Sequence, residues 1–491
     1  ETMKSIFNRL SNLEIISSYH HYRRGFFSPV RFEKLGLCRF RNLPMPIIIG
    51  RCTYCSILVG LMFPASEGLL NPIQPRGGIQ RSFHSSSELY HSNSLVQEIR
   101  QAYKDDQTDG ILKLATHMWG EDRFHVDEMV SATLEATEGK KGEVASIMNA
   151  LMASCCQMED REAASVQVRE LLGAYETLEE TRNITPDMVT FSLAYKALSL
   201  DPDSADLASL ILDRALRRSK KIAGSKRRKT LAASRRKKFL TCSTAEDKLK
   251  TLLGEDFDVL YETEDLFIIN KPSGVSCFHK KKTTAGKIKK GKQTSRVSDV
   301  SLEDALISCN VPLSTLNSEG LGLVHRIDRG TSGCMVLAKT EEMHAKLVSE
   351  FFLRQTEKKY LVIVAPAPDI SLPEEGYIDL PVDRRPAKSK YRVLERYGTA
   401  AALLEFEIFT GRKHQIRVHA AQGLSSPVLM DSMYSSGEQN TEVVEGTVKI
   451  DALKSQFFLH ASSLSIPKYR ISVKAPLPSW WDSTISLLKK Y

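Results

Sequence analysis

The segment GLVHRIDRGTSG, Gly322–Gly333, sets one carboxylate, Asp328, among His325, Arg326 and Arg329, and follows it with the small residues Thr331, Ser332 and Gly333. Nearby positive charge favours the ionised form of a carboxylate. An ionised carboxylate held in position can attack an electrophilic centre or take a proton from it. Flanking arginines can meanwhile grip phosphate oxygens in a fork. Gly330 and Gly333 would let the backbone turn so that Asp328 points outward. The same residues also fit a surface aspartate paired with Arg326 or Arg329, an arrangement that is common and weak. Taken alone, the segment leaves both readings open.

Elements around it must position these groups. FDVLYETEDLFIINKPSG holds two strand-like runs, Phe257–Tyr261 and Leu266–Asn270, and Pro272 and Gly274 stop the second. Gly333–Thr340 reads as a strand; Thr340 can cap the helix that follows, with Glu341 and Glu342 in its first turn. Lys390–Gly411 reads as a hairpin around Tyr397-Gly398. Arg412–Gly423 reads as a short helix in which His414 and Arg417 share a face.

Read in order, the pieces form a pattern. Asn270-Lys271-Pro272 comes first, then His325–Gly333, Lys359-Tyr360 and Gly411–His419. Pro427-Val428-Leu429 with Asp431 and Tyr434 follows, and then Leu459-His460-Ala461. From about residue 257 to 485 the chain resembles the RluA-type pseudouridine synthase family. The resemblance implies an α+β catalytic domain with a mixed, mostly antiparallel sheet and flanking helices. It also implies an isomerase. Family members cut the bond from ribose C1′ to uracil N1, turn the base and rejoin it through C5.

Residue by residue, the resemblance implies that Asp328 is the catalytic carboxylate. Tyr360 would lie against the uracil and take part in proton removal at C5, and Arg417 would pair bidentately with Asp328. The target nucleotide must leave its stack to be reached, and Arg326 matches the position that fills the vacated space. His325, Arg329, Thr331, Lys271, Arg412 and His414 are the further residues expected at the substrate, Lys271 at the rim and Arg412 and His414 on phosphates. The chemistry needs no cofactor or metal. The sequence shows no phosphate loop, dinucleotide fingerprint or metal cluster. The expected partner is RNA, ribosomal or transfer, with no membrane and no obligate protein partner.

The rest of the chain lies outside the resemblance. Net charge is +9, but Arg217–Lys238 holds twelve Lys or Arg and Lys280–Arg296 eight, neither with an acid. Without these twenty charges the remainder stands at −11, so the basic character is concentrated, as suits either a polyanionic partner or a solvated, disordered tether. Residues 94–216 carry apolar residues at helical spacing. Ala145–Tyr175 and Ile184–Leu216 read as two helix pairs, broken near Met158–Asp160 and at Asp201-Pro202. This is either a repeat array with a loose likeness to pentatricopeptide repeats or an ordinary helical bundle. It stands where many relatives carry an S4-type RNA-binding domain.

Residues 217–245 read as a basic linker and 254–491 as the catalytic domain. Residues 1–90 are poor in acids and rich in Arg, Ser and Phe, the composition of an organelle transit peptide. Arg81–Ser86 resembles a mitochondrial processing site, so a mitochondrion is expected, with a plastid as the alternative. Pro46–Phe63 is apolar, but Arg51 interrupts it short of a spanning length. The nine cysteines are scattered and read as reduced thiols. Two competing readings are an RNA-binding protein with an idle synthase domain, and a small-substrate hydrolase using Asp328.

Overall fold

The structure, a computed structural model, describes residues 86–121, 125–223, 245–278, 300–318, 320–367, 370–435 and 456–490. Residues 1–85 of the transit-peptide region, residues 224–244 of the basic linker and the basic stretch 280–296 lie outside the described residues.

The upstream part is all helix: α1 (Ser86–Gly120), α2 (Val126–Ala136), α3 (Lys141–Cys155), α4 (Arg161–Arg182), α5 (Met188–Leu198) and α6 (Ala205–Ala223). The breaks fall where short polar residues offer alternative hydrogen bonds. The Asp160 side chain accepts from the Ala163 amide and starts α4, and Asp187 does the same for α5 in a capping box with Thr190. Asn183 ends α4 in the left-handed conformation. Helices meet through side chains 38 or 39 residues apart, Arg214 with Glu176 at 2.8 Å and Arg218 with Glu179 at 3.2 Å. Cys155 and Cys156 are buried thiols at the end of α3. Helix α6 runs on to Ala223, past Arg217 where the linker was expected to begin. Within that stretch Ser219 donates to the Thr315 carbonyl at 2.6 Å.

Helix α7 (Ala245–Leu253) buries Leu249, Leu252 and Leu253 beneath the sheet, so that region starts before residue 254. The sheet comprises β1 (Asp258–Glu262), β2 (Leu266–Lys271), β3 (Ser332–Ala338), β4 (Glu357–Val364), β5 (Glu375–Asp379), β6 (Lys388–Tyr397), β7 (Ala401–Ile408), β8 (Leu459–Ile466) and β9 (Ile471–Lys474). Its order is β1-β2-β3-β8-β4-β7-β6-β5, with β9 on β8. Every pairing among the described strands is antiparallel except β3 with β8. This is the mixed, mostly antiparallel sheet expected. Helices α8 (Leu302–Ser308), α9 (Glu341–Phe352), α10 (Gln415–Val418) and α11 (Ser479–Leu488) flank it.

Period-two alternation explains why the strands bury both faces. On β4, Tyr360, Val362 and Val364 enter one core while Leu361 and Ile363 face the other. On β2, Phe267 and Ile269 face α8 while Leu266 and Ile268 face α9. Thr340 caps α9 through the Met343 amide. The short helix expected over Arg412–Gly423 is regular only from Gln415 to Val418, then widens into a π-type turn over His419–Gly423. There the buried His419 ring bonds Ser389 Oγ at 3.0 Å and the Leu380 carbonyl at 2.9 Å, which draws the turn toward β6.

The helical part and the sheet belong to one compact unit. Helix α5 lies on α9, where Lys196 Nζ meets Glu350 Oε1 at 2.9 Å, both side chains nearly fully buried. Lys196 also donates to Gln355 at 3.0 Å, and Ser349 to the Ser192 carbonyl at 2.9 Å. Removing one partner of a buried pair strands the other charge.

Of the two glycines expected to turn the chain, Gly333 is the one with a left-handed backbone, φ +111°. A Cβ there would sit 2.2 Å from the Ala461 carbonyl oxygen, inside the β3–β8 contact. Gly333→Ala should therefore cost on the order of 3 kcal/mol or more, read as a lowered urea midpoint. An unchanged midpoint would show that β3 and β8 can separate freely.

Candidate active site

Asp328 sits in the loop between Leu323 and β3, a loop fastened from below by its backbone. Lys271 Nζ donates to the carbonyls of Pro272 and Val275 at 2.8 Å each and of Arg329 at 3.4 Å. Ser273 Oγ donates to the Gly330 carbonyl at 2.6 Å, the Gly274 amide to that of Arg329 at 2.8 Å, and Cys277 Sγ to that of Ile327 at 3.3 Å. Ile327 is buried in the core under β2 and β3. With Ile327 pinned inward, the next side chain, Asp328, faces the cavity.

That cavity has a volume of about 810 Å³, and Asp328, Thr331, Tyr360, Arg412, His414 and Arg417 all line it. Three widely separated sequence segments converge there because β3, β8, β4 and β7 are neighbours.

Arg417 Nη1 lies 3.5 Å from Asp328 Oδ2. The expected fork, however, goes to a different acid: Arg417 Nε and Nη2 bind the two oxygens of Asp431 at 2.6 and 2.8 Å. Asp431 is fully buried, whereas the Asp328 side chain is 21% exposed. The guanidinium can serve both because it carries five donors. Its carbon also lies 4.4 Å from the centre of the Phe457 ring and 5.0 Å from that of Tyr434. Burial works against the Arg417 charge, but Asp431, with Asp328 beyond it, outweighs burial and raises its pKa above the ordinary value. Asp431, Tyr434 and Phe457 were not expected as site residues. The spacing of Asp431 and Tyr434 after Pro427-Val428-Leu429 was the available signal, while Phe457 had none.

His414 Nε2 stands 3.7 Å from Asp328 Oδ1, and its Nδ1 is 2.9 Å from the Tyr434 hydroxyl. Its backbone is left-handed, φ +59°, a conformation that non-glycine residues adopt mainly where surroundings force it. Burial lowers the His414 pKa, opposed by Asp328 and assisted by Arg417. Tyr360 is buried at 8% exposure on β4. Burial, with the charge of Asp328, pushes its hydroxyl well above the ordinary tyrosine range, so it stays protonated.

The other expected residues divide. Thr331 is buried against the cavity, and its amide donates to the Asp328 carbonyl at 3.1 Å. Arg326 is exposed at the cavity edge, 5.2 Å above the Phe278 ring. Arg412 lines the cavity, with Nε on the Pro386 carbonyl at 3.0 Å. Three make their polar contacts with the backbone instead. Lys271 is wholly buried under the loop, because its ammonium is needed by three carbonyls. Arg329 turns away and donates to the Gly274 carbonyl at 2.7 Å. His325 lines the cavity but stacks on Phe351 at 4.5 Å, and its Nε2 accepts from the Val336 amide at 3.1 Å. Burial, with Lys358 nearby, holds its pKa at about 3, so the ring is neutral. Among the described residues no cluster of His, Cys, Asp or Glu could hold a metal, and no helix is long and apolar enough to cross a membrane.

A family model described as RNA pseudouridylate synthase matches residues 265–422. The chain is 32% identical over 238 residues to an uncharacterized RNA pseudouridine synthase of Zymomonas mobilis, covering 45% of this chain and 93% of that protein. It is 31% identical over 257 residues to the ribosomal large subunit pseudouridine synthase D of Xanthomonas campestris, 48% of this chain and 70% of that one. It is 35% identical over 144 residues to the chloroplastic RNA pseudouridine synthase 2 of Arabidopsis thaliana, 25% of this chain and 33% of that one. Other relatives are matched over about half of their own length. The chain belongs to the RluA-type RNA pseudouridine synthase family, isomerases that act on RNA.

Two outcomes follow from this site. Asp431→Asn leaves Arg417 with one fewer charged partner and should cost about 3–5 kcal/mol of stability by denaturant titration. A loss below about 1 kcal/mol would mean that Asp328 alone suffices. The second concerns pH. Burial depresses His325 to about 3 and His344 and His460 to about 4, against an ordinary 6.5. The unfolded chain then binds more protons below pH 6.5, so this stability is intact above that pH and lost as pH falls through 4 to 3. Unfolding near pH 5 should take up as many as three protons, visible as a lower urea midpoint than at pH 7.

Proposed function

We propose that this protein is an RNA pseudouridine synthase that isomerises uridine in structured RNA, ribosomal or transfer, inside an organelle. The observation that carries the reading is the pairing of a partly exposed Asp328 with a buried, doubly bound Arg417 in a cavity shared with Tyr360. The arrangement suits a reaction that starts and ends with the same atoms. The C1′–N1 bond breaks and the C1′–C5 bond forms, while C5 loses a proton and N1 gains one. Asp328 supplies the lone pair that acts on the ribose, at C1′ or on its neighbouring proton. Arg417 holds that carboxylate aimed before substrate arrives, so no reorganisation is needed at the moment of reaction.

Tyr360 lies against the base as a neutral phenol, suited to pass on a proton rather than to abstract one unaided. His414 bridges Asp328 and Tyr434 as an orienting group. Arg326, exposed at the edge, takes the space left by the extruded nucleotide, and Arg412 holds a phosphate. The ribosomal large-subunit relative supports ribosomal RNA as the substrate class. The acid-poor N-terminal region supports an organelle, and the chloroplastic relative favours a plastid over the mitochondrion expected first.

Pseudouridine mapping in organellar RNA tests the reading. Asp328→Asn should cut product formation by on the order of 10³-fold or more while RNA affinity stays within about threefold. Retained turnover would refute the assignment, and turnover absent from the unmodified protein would favour an RNA-binding role with an idle site.

A further inference from the structure

The matched family stretch begins at residue 265, yet residues far upstream complete the cavity. Thr108 and Asp109 of α1 and Met188 and Val189 of α5 line it together with Asp328. They are held firmly. Helix α5 is fixed to α9 by the buried Lys196–Glu350 pair and by the Ser349–Ser192 bond, and Phe351 and Phe352 at the end of α9 line the cavity as well. Asp109 itself forms an ion pair with Arg354, another lining residue.

The charge along this wall is lopsided. Among the described lining residues, Arg326, Arg354, Lys358, Arg412, Lys413 and Arg417 are cationic, against only Asp109 and Asp328. Burial, with Arg354 beside it, pushes Lys358 down to about 8, a sign of like charges crowded away from water. The volume, about 810 Å³, lies toward the upper end of the roughly 300–1,000 Å³ that small-ligand pockets span.

We propose that the helical region is part of the substrate site: Met188 and Val189 form an apolar ledge for the single-stranded nucleotide beside the extruded uridine, and Arg354, Lys358 and Arg412 take the phosphates between them. The inference rests on the synthase reading above. Met188 offers a flexible, polarisable surface to a base without selecting its edge. Asp109 occupies Arg354 while the cavity is empty and gives it up to a phosphate, so Asp109 sets how readily RNA enters. The wall comes from outside the family stretch, so the added contact with the flanking nucleotide belongs to this chain.

Photo-crosslinking tests this directly. A benzophenone side chain replaces Met188 in one protein and Lys413 in another, each also carrying Asp328→Asn to hold substrate. Both are irradiated with total ribosomal and transfer RNA from the organelle. Crosslinks from both positions to nucleotides within a few of the same uridine are expected. Crosslinking at 413 but not at 188 overturns the inference and leaves the synthase reading standing; crosslinking at neither overturns both.

Kinetics supply a second readout. Met188→Glu should raise KM about tenfold with kcat within about twofold, and Asp109→Asn should lower KM about threefold with a steeper salt dependence. If the helices only scaffold the sheet, Met188→Glu lowers the melting temperature and leaves KM unchanged, and that result also overturns the inference.

Discussion

The site depends on one buried cation. Arg417 is bound in a fork by Asp431, flanked by Phe457 and Tyr434, and has one nitrogen left to reach Asp328. A buried guanidinium is costly unless its donors are met. Asp431 meets most of that demand, which lets Asp328 stay partly open to the cavity rather than locked in a pair. The carboxylate is thus oriented without being used up. Had the fork gone to Asp328, as the motif alone suggested, its lone pairs would be committed to Arg417 and less available for chemistry.

The second constraint is the fastening of the loop that carries Asp328. Three carbonyls of that loop, those of Ile327, Arg329 and Gly330, are held by Cys277, by Lys271 and Gly274, and by Ser273. A segment that seemed to contribute a substrate-binding lysine instead serves as a clamp. Gly333 completes the arrangement, since only a residue without a Cβ lets β3 lie this close to β8. Precision at the carboxylate is therefore built from donors beside β2 that hold the loop's own carbonyls, and from the close β3–β8 contact that anchors its end.

The helical region contributes in a different manner. It shares buried polar bonds and a core with α9, the helix that follows β3. An interface of this kind is stiff, so residues on α1 and α5 keep a fixed distance from the cavity. A tethered domain would average over many positions and could not shape a pocket.

Much of this was written locally in the sequence. Strand alternation in β2, β3 and β4, the hairpin at Tyr397-Gly398, the Thr340 cap and the helix breaks at Met158–Asp160 and Asp201-Pro202 all depend on neighbours within a few residues. The ordered motifs likewise pointed to Asp328, Tyr360 and Arg417, which the structure brings to one cavity. What the sequence could not reveal was direction. Whether Lys271, Arg329 and His325 turn toward substrate or toward the backbone is decided by which carbonyls and amides the folded chain brings within reach: those of Pro272 for Lys271, Gly274 for Arg329 and Val336 for His325. The same holds for the choice of Asp431 over Asp328 by the Arg417 fork, and for helices α1 and α5 reaching the cavity. Local propensity follows from spacing along the chain, but the pairing of charges follows from burial, and burial exists only once distant segments have packed.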